Sequence, residues 1–491
     1  MPQNKFDVVI IGGGVIGASI ARELSRFKIN IAVLDKASEL PSGASRANSS
    51  MIHGGFDDKP GTVKAKFCVK GNSMYHVLKD ELDFHVDECG SYVCAFSNKE
   101  IEHLEKLLGY GKANGVPGVE IITGDKLREK EPNVSPDIIA ALWSPSAGIV
   151  NNFEAVAAFM ESAQINGAKL FLETLVTGLI LNENKDEILG VHTNKGDFLA
   201  PIVINAAGVH SGEVSEWAGD TSFKIIPTRG EYFLLDRSTK GFIHSFLFAC
   251  PSDAGKGITV AQTAEGNLLA GPTATPQEDP EDHATTPEGL DEVLRGARRL
   301  VPNFPVNLNI TTFAGVRANT DTGDFAIKLL DKPRGFMNVA GIKSPGFTSA
   351  PAIAEYVSGL LKQELADRVE FKVNDKFVPE RKHIPRFLML SNEERAELAK
   401  KDPAYAQIVC RCETVTEGQV IEAIRRGART VAAVKIWTRA GTGRCQSGFC
   451  CPRVAEILSR ELNIPLDQVT RHGGESRLLV GKTKEFILNK D

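Results

Sequence analysis

Residues 6–11, Phe-Asp-Val-Val-Ile-Ile, form an apolar run that ends on Gly12, Gly13 and Gly14. An unbroken run of this length suits a strand buried on both faces, because a half-solvated strand would alternate apolar with polar. Apolar side chains recur at helical spacing through residues 18–25, and residues 30–34 repeat the strand pattern up to Asp35. The opening therefore predicts strand, glycine turn, helix and strand. Further strands are predicted at 203–208 and 227–235, a hairpin at 257–262 and 266–271, and a helix across 350–357. Residues 366–405 lose this periodicity to charge and to Pro379, Pro385 and Pro403, and read as a linker. A helical pattern returns at 417–426.

The chain has 491 residues, long enough for about three domains. Its net charge of -5 gives no basic surface on which to hold nucleic acid. The first strand begins within six residues, which leaves no room for a signal peptide. No apolar run approaches the roughly 20 residues that span a bilayer. The expected location is cytoplasmic, with contact to the inner face of a membrane only through a partner.

The motif Gly12-x-Gly14-x-x-Gly17 lies between strand and helix. Glycine is required there because the backbone turns tightly and approaches a pyrophosphate whose charge rests on the helix N-terminus. Asp35 ends the next strand, where a carboxylate would take a ribose hydroxyl. Taken alone, this pattern leaves NAD and FAD both open.

Nine cysteines are present, of which Cys68, Cys89, Cys94 and Cys250 are scattered and read as small buried apolar residues. The others cluster. Cys410-x-Cys412 is followed after 32 residues by Cys445-x4-Cys450. Grouped thiolates in a reducing compartment point to metal rather than disulfides. An iron–sulfur cluster takes four thiolates, whereas structural zinc usually uses knuckles of C-x(2–4)-C, which the first pair lacks. Cys451 directly follows Cys450 and could in principle exchange with it.

Three later segments carry a resemblance. They are Gly43-Ala-Ser-Arg-Ala-Asn-Ser-Ser-Met-Ile-His-Gly-Gly55, Val203-Ile-Asn-Ala-Ala-Gly208 and Gly341-Ile-Lys-Ser-Pro-Gly-Phe-Thr348. In this order they resemble the D-amino-acid-oxidase-like superfamily, which implies FAD as cofactor. The resemblance implies cofactor contacts at Gly12, Gly14, Gly17, Asp35, Lys36, Ser45, Asn48, Ser49, His53, Val176, Ala207, Gly208, Gly346, Phe347 and Thr348. Arg439-Ala-Gly-Thr-Gly-Arg-Cys-Gln-Ser-Gly-Phe-Cys450 is similar to the [2Fe-2S] domain related to bacterioferritin-associated ferredoxin. That implies Cys410, Cys412, Cys445 and Cys450 as ligands and Cys451 as a bystander.

The whole layout resembles the large subunit of anaerobic glycerol-3-phosphate dehydrogenases, out to Thr470-Arg-His-Gly-Gly-Glu-Ser-Arg-Leu-Leu-Val-Gly-Lys-Thr483. The implied fold is a discontinuous α/β Rossmann-like FAD-binding domain (1–80, 150–215 and 330–365). With it come an α+β substrate domain on a mixed sheet (81–149 and 216–329) and the 366–405 linker. A small, mainly helical [2Fe-2S] domain (406–465) and a C-terminal tail (466–491) complete the expectation. Arg317, in Phe-Ala-Gly-Val-Arg, matches the arginine that holds the substrate's anionic end, and Lys343 matches a lysine near flavin and substrate. A guanidinium suits an anion because it forms two parallel charge-assisted hydrogen bonds.

Some residues depart from that pattern. His53-Gly-Gly is followed by Phe-Asp-Asp-Lys-Pro-Gly-Thr-Val-Lys-Ala-Lys66, which is more similar to L-2-hydroxyglutarate oxidase. Arg-Gly-Glu-Tyr232 leans the same way. Glycerol 3-phosphate and a 2-hydroxy acid therefore both stay open as substrates, with an amine or amino acid behind them. For an anionic secondary alcohol, His53 would accept the hydroxyl proton, or only touch the flavin, and Tyr232 would orient the hydroxyl. The cluster implies onward transfer of electrons to a partner flavoprotein or iron–sulfur subunit, since oxygen takes electrons from flavin directly. An electron-transfer subunit with an idle pocket is the remaining alternative.

Overall fold

The computed structural model describes residues 4–250, 257–481 and 483. It divides into two compact units. The first runs to Asp35 and from Pro41 to Arg381, and the second joins Lys36–Leu40 to the stretch from Lys382 onward.

A six-stranded sheet forms the base of the first unit, in the order Lys169–Phe171, Ile31–Leu34, Val8–Ile11, Ile202–Asn205, Phe336–Ala340 and Ala326–Leu329. All neighbours are parallel except the last pair. Every residue of Val8–Ile11 is buried, which is why that run carries no alternation: helices cover both faces of such a sheet. The Val15–Leu24 helix packs against the helices Asn152–Ile165 and Gly346–Glu364. Between Ile202–Asn205 and Phe336–Ala340, Asn205 Nδ2 donates to Asn338 Oδ1 (2.8 Å), and Asn338 Nδ2 donates to Asp220 Oδ2 (2.9 Å) and Ser215 Oγ (2.9 Å). Both asparagines are fully buried, so this network meets the hydrogen-bonding needs of polar groups inside the sheet.

A nine-stranded mixed sheet forms the rest of the first unit. Its longest pairing joins Ile225–Leu235 to Asn309–Thr320 in antiparallel register. Phe246–Ala249 runs parallel to Ser91–Ala95, and the sheet's other pairings among the described residues are antiparallel. Tyr92, Leu247, Val260 and Leu268 fill one side of this sheet beneath the Pro287–Leu300 helix. The expected hairpin forms from Thr259–Gln262 and Leu268–Gly271.

The second unit packs the helices Glu417–Arg425, Val431–Thr438 and Cys451–Leu462 around Val420, Val434, Ile457 and Leu458. Glu39 fixes the short Lys36–Leu40 segment within it. Its carboxylate accepts from Thr430 Oγ1 (3.2 Å) and lies 3.0 Å from His472 Nδ1. Past residue 465 the described chain folds back, with Val469 fully buried and Thr470 bridged to Arg477. The expected tail beyond 483 lies outside the described residues.

The charged 366–405 stretch is divided between the units at Arg381. Arg381 is 4% exposed; its Nε donates to Glu161 (2.6 Å) and its Nη1 to Leu82 O (3.0 Å). Composition alone reads such a stretch as solvated, yet this guanidinium is an internal tie. Residues Asn392–Lys401 form a helix that starts at a Ser391–Glu394 capping box. Among the described residues, no helix is long and apolar enough to cross a membrane.

Candidate functional site

The glycine turn is built by close approach. Gly12 has φ +102°, and a Cβ there would collide with the Ala206 carbonyl oxygen, so the 206–208 segment lies directly against it. A Cβ at Gly17 would run into Gly12 O. Gly14 is the N-cap of the Val15–Leu24 helix and supplies no side chain. Ser45 Oγ instead accepts from Val15 N (2.9 Å), which brings the glycine- and serine-rich segment to the helix N-terminus. Asp35 is 7% exposed and its Oδ2 accepts from Gly13 N (2.7 Å), tying the strand-end acid to the same turn. Backbone cradle, helix N-terminus and buried acid together suit a dinucleotide. A Gly12→Ala variant should lose FAD affinity at least ~10-fold, from left-handed strain and the carbonyl clash; flavin absorbance of the purified protein measures this.

Other expected cofactor residues fall around this turn. Asn48 Nδ2 donates to Ala44 O and Ser45 O, folding the segment on itself beside half-buried Ser49. Asn152 Nδ2, which the sequence did not single out, donates to Ser45 O (2.9 Å) and Arg46 O (3.0 Å). Val176, buried with Val9 and Leu34, begins the edge strand of a four-stranded sheet. Ala207 and Gly208 follow the Ile202–Asn205 strand. Lys36 is exposed and belongs to the second unit.

The candidate substrate residues Tyr232 and Arg317 lie on the long antiparallel pair. Directly opposed residues share a face, so the register sets Tyr232 with Phe313, Gly230 with Gly315 and Thr228 with Arg317 on one side. The Tyr232 and Phe313 rings stack at 4.7 Å and 10°. The Arg317 guanidinium lies over Gly230, where a Cβ would sit 2.8 Å from Nη2. Nη2 donates to Thr273 O and Arg229 O, while Nε is buried with no hydrogen-bond partner. An orphaned donor on a cation is costly unless an anion meets it. Burial pushes the Tyr232 phenol up to about 12, with the Arg317 charge pulling the other way. Tyr232 is thus a neutral hydrogen-bond donor, not a base, near neutral pH.

Two segments close on that face. Gly315 is against Ala47 O, and Gly341 (φ +64°) packs on the Thr320 methyl. His53 and Ser344 then join them: Ser344 Oγ lies 3.0 Å from His53 Nε2. The His53 backbone N–H donates to Thr348 Oγ1 (2.9 Å), and Tyr75 donates its hydroxyl to Phe347 O (2.9 Å). Gly346, Phe347 and Thr348 open the 19-residue Gly346–Glu364 helix, whose N-cap Pro345 has no capping side chain. Lys343, half-buried, immediately precedes Ser344. Ser344 was missed as a residue although its segment was recognised.

The four clustered cysteines stand as two thiol pairs. Cys412 and Cys445 sulfurs are 3.5 Å apart, and Cys410 is hydrogen-bonded to Cys450. That bond first, then backbone N–H groups of Gly441 and Glu413, draw the Cys410 thiol down to about 6 against its burial, while Cys450 is pushed up. Thr414, Arg439, Gly441, Gln446 and Ser447 have positive φ, so both loops turn tightly beside the thiols. Among the described residues, no three His, Cys, Asp or Glu side chains converge on one point. Two pairs fit a two-iron cluster better than a single ion. Neither pair includes Cys451, which starts the Cys451–Leu462 helix.

Residues 7–360 match the family described as FAD dependent oxidoreductase, and residues 408–460 match the BFD-like [2Fe-2S] binding domain. The chain belongs to the FAD dependent oxidoreductase family, and it is an FAD enzyme with an added [2Fe-2S] domain. Over 98% of its length it is 44% identical to a glycerol 3-phosphate dehydrogenase of Caloramator mitchellensis, all of which is covered. It is 31% identical to the L-2-hydroxyglutarate dehydrogenase of Escherichia coli K12, over 55% of this chain and 64% of that one. The FAD-bound L-alpha-glycerophosphate oxidase of Mycoplasma pneumoniae superposes with a TM-score of 0.72 at 28% identity, covering 77% of this chain and 98% of that one.

Proposed function

We propose that the protein oxidises sn-glycerol 3-phosphate to dihydroxyacetone phosphate and passes the electrons through its [2Fe-2S] domain to a redox partner. The observation that carries this reading is the 44% identity to a glycerol 3-phosphate dehydrogenase across both the flavin part and the cluster part. The half-buried Arg317 guanidinium, on the same face as Tyr232, supports it independently, as a cation suited to a phosphate. Arg317, assisted by Lys343, holds the phosphate. Tyr232 donates to the substrate hydroxyl. His53, its ring oriented by Ser344, takes the hydroxyl proton as the carbinol C–H bond breaks. FAD supplies the hydride acceptor, and the cluster supplies one-electron steps to the partner. The substrate loses two electrons and two protons in all.

A partner is supported by what the oxidase relative lacks: nearly all of it is matched by 77% of this chain. Any membrane association would come through that partner.

Anaerobic titration of the FAD- and cluster-loaded protein decides the substrate. Rapid bleaching of the flavin by sn-glycerol 3-phosphate, and not by L-2-hydroxyglutarate, is the expected result. The reverse selectivity would replace this reading with the hydroxy-acid one. Silence with both, while dithionite still reduces the flavin, would make the chain an electron-transfer subunit.

A further inference from the structure

The stretch Arg229-Gly230-Glu231-Tyr232 is laced to the segment that follows Gly271. Strand pairing to Ile225–Leu235 stops at Ala270, opposite Phe233, and resumes at Thr275, opposite Arg229. Between them residues 230–232 oppose residues 271–274, an interruption of the ladder. Within it the Glu231 backbone N–H donates to the hydroxyl of Thr273 (3.1 Å), a residue 1% exposed. The Thr273 carbonyl accepts from Arg317 Nη2, as does that of Arg229 (3.4 Å). The Glu231 carboxylate accepts from Thr286 Oγ1 (3.1 Å), and Arg229 Nη1 donates to Asp282 (2.9 Å). Both ends of the segment that carries Thr273 are thereby fixed to the strand.

Gly230 completes the arrangement. Its φ lies outside the left-handed region, so the demand for glycine here is steric. A Cβ would stand 2.8 Å from Arg317 Nη2, 2.8 Å from Pro272 Cβ and 3.2 Å from Thr273 O. Of these atoms only the guanidinium nitrogen ends a flexible side chain. A long cation left unheld samples several rotamers, and ordering it opposes the binding of an anion. The seat formed by Gly230 and Thr273 does that ordering beforehand, and keeps the charge where the Tyr232 phenol feels it. We propose that Gly230 and Thr273 are positioning residues that hold the Arg317 guanidinium ready for the anionic end of the substrate. This inference rests on the reading of Arg317 as the anion holder and names what makes it one. It also explains the Arg-Gly-Glu-Tyr stretch by the needs of a seated guanidinium, so that stretch alone does not favour a hydroxy acid over glycerol 3-phosphate.

Anaerobic flavin bleaching of the loaded full-length protein, followed over a range of sn-glycerol 3-phosphate concentrations, gives a half-saturating concentration and a limiting rate. Gly230→Ala puts a methyl where the guanidinium lies and should raise the half-saturating concentration about 10- to 100-fold. Thr273→Val keeps the carbonyl but removes the anchoring hydroxyl, and should raise it about 3- to 10-fold. The limiting rate should fall less. Thr273→Ser, which restores the hydroxyl, should behave as the natural protein. Each change is then repeated in Arg317→Lys, whose ammonium has no Nη2 to seat, and there it should add less than about 2-fold. Flavin content and cluster absorbance check folding. Should Gly230→Ala fail to load, Thr273→Val and its serine control carry the test. Equal factors in the Arg317 and lysine backgrounds would mean that these residues act on the fold and not through Arg317, and would overturn the proposal. So would unchanged half-saturation in both single variants, or a Thr273→Ser protein as impaired as Thr273→Val. If only L-2-hydroxyglutarate bleaches the natural protein, the substrate reading falls, and the same comparison made with that acid decides the seat. Bleaching by neither compound would overturn Arg317 as the anion holder, and this inference with it.

Discussion

Arg317→Ala is expected to lower kcat/KM for sn-glycerol 3-phosphate by about 10²- to 10⁴-fold, the range for removing one or two charge-assisted hydrogen bonds to an anion. The reason is local. The half-buried guanidinium is spread over Gly230 and pinned through Nη2 to two backbone carbonyls. An anion arriving there meets a charge already held in place by those bonds. Arg317→Lys should recover only part of the loss, because an ammonium carries the charge without the planar fork. Flavin absorbance should be retained in both variants, since the glycine turn lies on other strands. The measurement is anaerobic flavin bleaching against substrate concentration. Unchanged kcat/KM in Arg317→Ala would remove Arg317 from the site.

The parts of the site legible in the sequence were those where chemistry dictates residue type locally. Gly12 and Gly17 had to be glycine because backbone atoms press on both Cα positions, so their spacing could be read. The unbroken apolar run of Val8–Ile11 follows from burial on both faces and needs no partner to be recognised. The four cysteines stand out by their clustering and spacing, whereas Arg317 and His53 are candidates only through segments whose order carries a family resemblance.

What the sequence hid was cross-strand and long-range. Ser344 matters through His53, which is 291 positions away. Thr273 is an ordinary polar residue until the sheet sets Glu231 N–H and Arg317 against it. Arg381 looked like part of a solvated linker because its partners, Glu161 and Leu82 O, lie more than 200 positions earlier. Likewise, Lys36–Leu40 adjoins Asp35 in sequence yet belongs to the second unit, where Glu39 meets Thr430 and His472. Hydrophobic periodicity reports which face of an element is buried, and it is silent on which distant residue fills the space opposite.

Cys450→Ser should abolish the [2Fe-2S] cluster, whereas Cys451→Ser should leave it in place. Cys450 is 2% exposed and hydrogen-bonded to Cys410, and it caps the Cys451–Leu462 helix from within the core of the second unit. A serine there offers a poorer ligand, and the 445–450 loop has no spare thiol to replace it, because Cys451 stands on the helix and in neither thiol pair. The readouts are the visible absorption of the cluster and the paramagnetic signal of its reduced form. Substrate should still bleach the flavin in Cys450→Ser, because the candidate substrate residues all lie in the first unit. Turnover with an external one-electron acceptor should fall by about 100-fold or more, if electrons leave through metal held by four thiolates. The two measurements separate the half-reactions: lost bleaching would mean that the cluster unit supports the flavin site itself. A cluster that persists in Cys450→Ser and vanishes in Cys451→Ser would show that the adjacent thiol is the true ligand. The helix would then have to unwind by a turn at its start to deliver it.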